Sequence, residues 1–313
     1  MTAFSQNPAT SNGERVSPPY STHTLLEPDT EAAALALLAM LSTSEATQLG
    51  CAPYRPTAGN WLYGGPAITD LNAILGWKLH IWADSMADWL QVAQVALPLL
   101  NQLGLPHKTI ACADMLAAMD HSVQEGKAFT VYTTSVAELK TCLHALDMAL
   151  MVAGCKHPHR VHITGDKAIG HSGRLFYRYD RDAQGAYRLN DGQYKPQDLP
   201  DPFAYWPVES QLAQLPVGYM MILGRQYTGA GLWSTRISRC HARVERQEAG
   251  LLVSDAGSAN GVWTEGQRID TPVLLVPGQT FTLASGDGSA TLMVLAAPQS
   301  FNLNNTNSPT PRP

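Results

Sequence analysis

Between Met221 and Leu295 the chain never sustains a long apolar face. Short apolar segments, Met221 to Leu223, Ala242 to Val244, Leu251 to Val253, Phe281 to Leu283 and Thr291 to Leu295, are divided by turns rich in Gly, Ser and Asn. Segments this short cannot develop the period of a helix, but they suit strands whose connections turn tightly. The expectation is an all-β sandwich, a fold that carries binding loops at one end of a rigid support.

Three motifs follow one another inside that region: Ile222-Leu223-Gly224-Arg225, then Ile237-Ser238-Arg239-Cys240-His241-Ala242-Arg243-Val244, then Asp255-Ala256-Gly257-Ser258-Ala259-Asn260-Gly261-Val262. Their order resembles the forkhead-associated (FHA) domain, a small β-sandwich that binds phosphothreonine peptides. The resemblance implies that Arg225 and Ser238 contact the phosphate, that Ser258 and Asn260 hold the peptide backbone, and that Arg239 adds charge. It assigns His241 a structural part, buttressing the loops. Guanidinium and hydroxyl donors at loop ends suit a phosphate, and an Asn amide both donates to and accepts from a peptide backbone. Glu265 stands where the family often has Asn before Gly266, a turn position at which the change is expected to matter little.

At 313 residues the chain exceeds the usual single-domain size, so a second domain is expected upstream. Residues 1–30, rich in Ser, Thr, Pro, Asn and Gln, read as a disordered leader, and 298–313 as a disordered tail. Residues 31–200 form the upstream domain, 201–216 a proline-containing linker, and 217–297 the sandwich. Glu31 to Leu41 reads as a helix. Trp77-Lys78-Leu79-His80-Ile81-Trp82 alternates polar and apolar, the sign of a strand with one face packed and the other available. Asp84-Ser85 caps a helix running to Leu103, and Ser135-Val136-Ala137-Glu138 is a capping box. Leu139, Leu143, Leu146 and Leu150 give the helix behind it one apolar face. Strands are expected at His107 to Cys112, Ala128 to Thr133 and Arg174 to Tyr179, and a helix from Asp114 to about His121. Strands and helices alternate, but the connections do not distinguish hairpins from crossovers, so the class is α+β, with helices packed on a mostly antiparallel sheet.

The net charge of −5 without a basic stripe argues against a nucleic-acid partner. Apolar runs too short for a bilayer, and a polar start, argue for a soluble cytoplasmic chain without a membrane partner. A Ser-rich polar leader would also suit export into a host cell as a bacterial effector, although ordinary disordered tails share that composition. The five cysteines, at 51, 112, 142, 155 and 240, include no Cys-x-x-Cys pair and read as reduced thiols. His157, His159, His162 and His171 have zinc-like spacing but no full ligand set nearby, and read as loop histidines, so neither metal nor cofactor is expected.

Taken alone, Lys78, His80 and Lys108 favour a solvated sheet face over a site. Four blocks in order alter that weighting: Gly76-Trp77-Lys78-Leu79-His80-Ile81, His107-Lys108-Thr109-Ile110, Gly126-Lys127-Ala128-Phe129-Thr130-Val131-Tyr132, and Gly173-Arg174-Leu175-Phe176-Tyr177-Arg178-Tyr179-Asp180. Over roughly residues 60 to 185 they are similar to the N-terminal lyase domain of class III and IV lanthipeptide synthetases, itself related to the phosphothreonine lyases injected by some bacterial pathogens. The resemblance implies β-elimination of phosphate from phosphothreonine, with Lys108 as base, His80 as acid, and Tyr132 near the reacting centre. Tyr132 reads equally well as a strand aromatic with its hydroxyl at the rim. Lys78, Lys127, Arg174 and Arg178 are the cations for the phosphate, and crowding of cations would lower the pKa of the base. One departure is Ser122, which falls where the effector lyases have a phosphate-binding arginine, with Lys127 as the replacement. The synthetases also continue into kinase and cyclase domains that this chain lacks. The expected function is therefore a phosphothreonine lyase whose FHA domain targets substrate. The alternatives are a non-catalytic phosphothreonine-binding adaptor with a degenerate lyase-like domain, and a split lanthipeptide maturation enzyme.

Overall fold

The computed structural model describes residues 28–57, 61–70, 74, 76–119, 124–157, 166–181, 201–226 and 234–297. The expected tail, most of the leader, Ser122, His159 and His162 lie outside the described residues. In the upstream domain the elements run α1 (Pro28–Leu41), a 3-10 turn (Ser44–Leu49), β1 (Arg55–Pro56), β2 (Trp61–Gly64), β3 (Trp77–Ile81), α2 (Met86–Gln102), β4 (His107–Ile110), α3 (Ala113–Met119), β5 (Phe129–Tyr132), α4 (Val136–Val152), β6 (Lys167–Ile169) and β7 (Leu175–Tyr179). The strands form one sheet in the order β1-β2-β4-β5-β3-β7-β6, with antiparallel pairings throughout. The domain is α+β.

Local chemistry explains where the helices begin. Ser85 accepts a hydrogen bond from the Asp88 N–H at the start of α2, and Ser135 does the same for the Glu138 N–H at the start of α4. Glu138 reaches back to the Thr134 N–H at 2.6 Å, completing the reciprocal cap. Leu139, Leu143, Leu146 and Leu150 are all fully buried, as the stripe predicts. They pack with α1, α2 and one sheet face, including Leu79, Ile81, Phe129 and Val131, into a single core. Beneath β4, His107 donates through Nδ1 to the Leu105 carbonyl, so its Nε2 accepts the Tyr54 hydroxyl at 2.6 Å. This buried pair fixes the strand that carries Lys108.

One expectation about β3 is corrected. Its outward face is not open: all five residues are buried, Lys78 and His80 included, because the polar groups of that face pair with one another.

A second correction concerns 201–216. Instead of a linker, α5 (Trp206–Gln214) forms there and is packed on both sides. Pro207 falls in the first turn, where a missing N–H removes no intrahelical bond, so the prolines that suggested a linker are compatible with a helix start. Trp206 and Ala213 join the upstream core, whereas Val208 and Leu212 join the downstream one. Glu209 of α5 is fully buried, accepts Lys140 of α4 through both carboxylate oxygens at 2.6 and 2.8 Å, and accepts the Met293 N–H at 2.8 Å.

Downstream, the remaining strands are β8 (Met220–Leu223), β9 (Ala242–Gln247), β10 (Gly250–Asp255), β11 (Val262–Thr264), β12 (Gln267–Arg268), β13 (Val273–Leu275), β14 (Thr280–Leu283) and β15 (Ala290–Met293). They build two four-stranded antiparallel sheets, β13-β10-β9-β8 and β12-β11-β14-β15. Leu223, Val244, Val253, Val262, Phe281 and Leu292 fill the space between them. No helix among the described residues is long and apolar enough to cross a membrane.

Candidate functional site

Strand register brings the polar face of the upstream sheet together. Lys108 on β4 and His80 on β3 each stand directly opposite Thr130 of β5. They are thus two strands apart on one face, about 10 Å at the backbone. One step along, Lys78 stands opposite Tyr132 on one side and Arg178 of β7 on the other. Residues directly opposite share a face, so Lys78, His80, Lys108, Thr130, Tyr132 and Arg178 all project the same way.

Two carboxylates complete the cluster. Asp166 lies 2.5 Å from His80 Nδ1, 3.5 Å from Lys127 Nζ and 3.8 Å from Arg178 Nη1. Asp180, which follows β7, pairs with the Lys78 ammonium and lies 2.8 Å from Arg178 Nε. Arg178 Nε and Nη1, Asp166 Oδ1 and Asp180 Oδ1 nevertheless have no well-directed hydrogen bond although all four are buried. Such under-satisfied polar atoms are uncommon inside proteins and mark where a further polar group would bond.

The electrostatics follow from burial and crowding. Burial, reinforced by Lys78 and Arg178, pulls the Lys108 pKa down to about 7. Its ammonium rests over the Trp61 ring, 3.6 Å from the centroid, and no carboxylate lies within ion-pairing distance among the described residues. Burial lowers Lys127 to about 8 although Asp166 opposes it. His80 is also lowered by burial, against the pull of Asp166. Burial pushes Asp166 up, but His80, Lys127 and Arg178 together hold it below the ordinary carboxylate range. The resulting resting state is an ionised Asp166 accepting Nδ1–H from a neutral imidazole, which leaves Nε2 with its lone pair.

The cluster is closed: Lys127, Lys78 and Arg178 are 1%, 2% and 3% exposed. Lys108 and Trp61 are its half-open edge. A cleft of about 340 Å³ lies elsewhere among the described residues, between β6 and α5, lined by Tyr177, Phe203 and Trp206.

At one end of the downstream sandwich three loops converge. Arg225 is exposed just past β8, and its N–H donates to the Ser238 carbonyl at 3.0 Å. A Cβ on Gly224 would lie 2.2 Å from the Arg239 carbonyl oxygen, so only glycine allows the loops to approach this closely. Ser238 Oγ accepts the Ala259 N–H at 3.1 Å, and the Asn260 amide donates to the Arg236 carbonyl at 2.6 Å. His241, fully buried, accepts the Ser238 N–H through Nδ1 at 2.9 Å and therefore donates through Nε2 to the Gly261 carbonyl at 2.8 Å.

Two family models match the chain in tandem: the RamC N-terminal domain over residues 49–197 and the FHA domain over residues 226–284. The chain joins a RamC-type N-terminal domain to an FHA domain. Among solved structures, the FHA domain of the CT664 protein from Chlamydia trachomatis is 28% identical, over 26% of this chain and 80% of that one, with a TM-score of 0.23. The N-terminal FHA domain of yeast Rad53, solved with a phosphothreonine peptide, is 24% identical over 34% of this chain and 86% of its own, with a TM-score of 0.23. A phosphothreonine lyase is 13% identical over 48% of this chain and 86% of its own, with a TM-score of 0.35. No curated protein matches the chain significantly.

Most residues singled out from sequence meet in these two places, and two do not. Arg174 of the RamC-type domain is turned away from the cluster. Its guanidinium grips Asp88 through both nitrogens, at 2.5 and 2.7 Å, and bonds the carbonyls of Trp82 and Cys155. A buried arginine needs fixed acceptors, and the N-terminal turn of α2 supplies them. In the FHA domain, Ser258 is 8% exposed and its hydroxyl bonds Asp255 and the Gly261 N–H, so it braces its own turn instead of facing a peptide. Sequence reasoning also missed Asp166 and Asp180. Asp180 shares the strand phase of Arg178, a usable signal; Asp166 is joined to His80 across 86 positions, which no local pattern reveals.

Proposed function

We propose that the chain is a phosphothreonine lyase, acting by β-elimination on phosphothreonine in a protein or peptide, with its FHA domain binding phosphothreonine to deliver substrate. The observation that carries this reading is Lys108: a desolvated lysine among cations, lowered to about 7, without a carboxylate partner among the described residues. A lysine kept near neutrality is an economical general base at physiological pH, whereas a surface lysine stays charged.

In this reading the phosphate dianion lies against Lys78, Lys127 and Arg178, taking the unsatisfied Arg178 Nη1. The Lys108 amine removes the Cα proton, that electron pair becomes the Cα–Cβ double bond, and the Cβ–O bond breaks. The dianion raises the His80 pKa as it binds, so Nε2 carries the proton that passes to the departing phosphate. Asp166 holds the imidazole by Nδ1 throughout. Tyr132 borders the cation site, with the Lys78 ammonium 5.4 Å from its ring centroid. Arg225, Ser238, Arg239 and Asn260 receive the phosphothreonine of a second site in the FHA domain.

The closed, carboxylate-filled cluster favours a second reading, a non-catalytic adaptor in which only the FHA domain binds. Kinetics on a phosphothreonine peptide separate the two. Lys108→Ala is expected to slow elimination at least about 100-fold, the usual worth of a positioned base. An undiminished rate in that variant removes Lys108 from the reaction. Arg225→Ala is expected to abolish peptide capture by the FHA domain while leaving turnover of saturating free peptide intact; retained affinity refutes the site.

A further inference from the structure

We propose that Asp180 is a positioning residue of the candidate lyase site, holding the Lys78 ammonium and the Arg178 guanidinium side by side as the pair that receives the substrate phosphate. The inference rests on the phosphate-site reading above and extends it to a residue to which the resemblance assigned no role.

The geometry is specific. Lys78 and Arg178 are directly opposite across β3 and β7, where two unshielded cations would repel. Asp180 extends the strand phase of Arg178 and is fully buried, and its N–H donates to the Gly76 carbonyl at 2.7 Å, tying both strand ends together. One carboxylate thus touches both cations: Oδ2 pairs with Lys78 Nζ and lies 3.3 Å from Arg178 Nη2, and Oδ1 is 2.8 Å from Arg178 Nε. Arg178 Nη1, 3.8 Å from Asp166 Oδ1, and Nε, although close to Asp180 Oδ1, both lack a well-directed hydrogen bond.

Around Lys78 stand Asp180 and Arg178 from β7 and its end, Asp166 ahead of β6, Tyr132 from β5 and Lys108 from β4, with Lys127 and His80 in the same cluster beside Asp166. Burial lowers the Lys78 pKa, Asp180 is the largest opposing influence, and Asp166 adds less. Removing the Asp180 charge therefore makes Lys78 lose its proton at lower pH, and a neutral Lys78 attracts a phosphate weakly.

The test uses the full chain carrying Arg225→Ala, which silences the FHA phosphate site, with inorganic phosphate as probe and 31P NMR titration across pH. Asp180→Asn is expected to weaken phosphate binding by about tenfold or more and to move the alkaline loss of binding to lower pH. Asp180 also raises the pKa values of Lys108 and Lys127, so the Asp180→Asn titration is repeated in a Lys78→Arg background, where the shift is expected to shrink because a guanidinium keeps its proton. If Asp180→Asn does not fold, Asp180→Glu, which keeps the charge but displaces the carboxylate by one methylene, decides alone and is expected to weaken phosphate binding. Equal binding by parent and Asp180→Asn at every pH, equal binding by parent and Asp180→Glu where that variant decides, or an Asp180→Asn shift undiminished in the Lys78→Arg background overturns the role of Asp180 and leaves the phosphate site standing. A parent that binds no phosphate removes the site and this inference together. Normal phosphate behaviour without any elimination removes only the lyase reading.

Discussion

At the scale of single residues, Lys108 makes a pH claim. Its amine form rises as pH passes through about 7, so kcat/KM for elimination is expected to climb across that pH and flatten above it. A profile flat from acid to neutral contradicts a lysine base. The same shift affects stability with a definite sign. The folded pKa lies below that of the unfolded chain, so the unfolded state binds the proton more tightly, and this group disfavours folding less as pH rises from about 7 to the unfolded value. Glu265 makes a second residue-scale claim. It was expected to be neutral, yet its φ of 50° lies in the left-handed region, in the two-residue turn joining β11 and β12. Asn tolerates that region better, so Glu265→Asn is expected to raise stability by up to about 1 kcal/mol in chemical denaturation. No gain would mean the strain is relieved elsewhere.

At the scale of elements, what was legible was local. Ser85 and Ser135 announced α2 and α4 because a cap and its partner lie within one turn. The Leu139 to Leu150 stripe gave the buried face of α4 for the same reason. A second stripe on α4, Lys140, His144 and Asp147, is also buried, and its polarity concealed it. Lys140 is buried because Glu209 of α5 meets it, and α5 was read as a linker because its partner lies far away in sequence. The alternation of β3 correctly put Lys78 and His80 on one face, but it does not say whether that face is wet, which depends on Asp166 and Asp180 arriving from elsewhere. The Lys140–Glu209 pair makes an element-scale prediction. Glu209→Ala leaves a buried ammonium without its carboxylate and the Met293 N–H without its acceptor, and is expected to cost on the order of 3 kcal/mol in denaturant unfolding. A cost near zero would mean the seam around α5 opens readily.

At the scale of the whole molecule, a RamC-type domain and an FHA domain meet across a packed helix, with Met293 and Leu295 of the sandwich end contributing to the upstream core. In the proposed function both halves recognise one chemical group, and their attachment raises the local concentration of phosphothreonine at the lysine-bearing sheet. The most direct measurement is the mass of a phosphothreonine peptide after incubation with the full chain. The account predicts loss of phosphoric acid, leaving an alkene at the former threonine. A product that regains the hydroxyl indicates a phosphatase, and an unchanged peptide indicates an adaptor; either result contradicts the account.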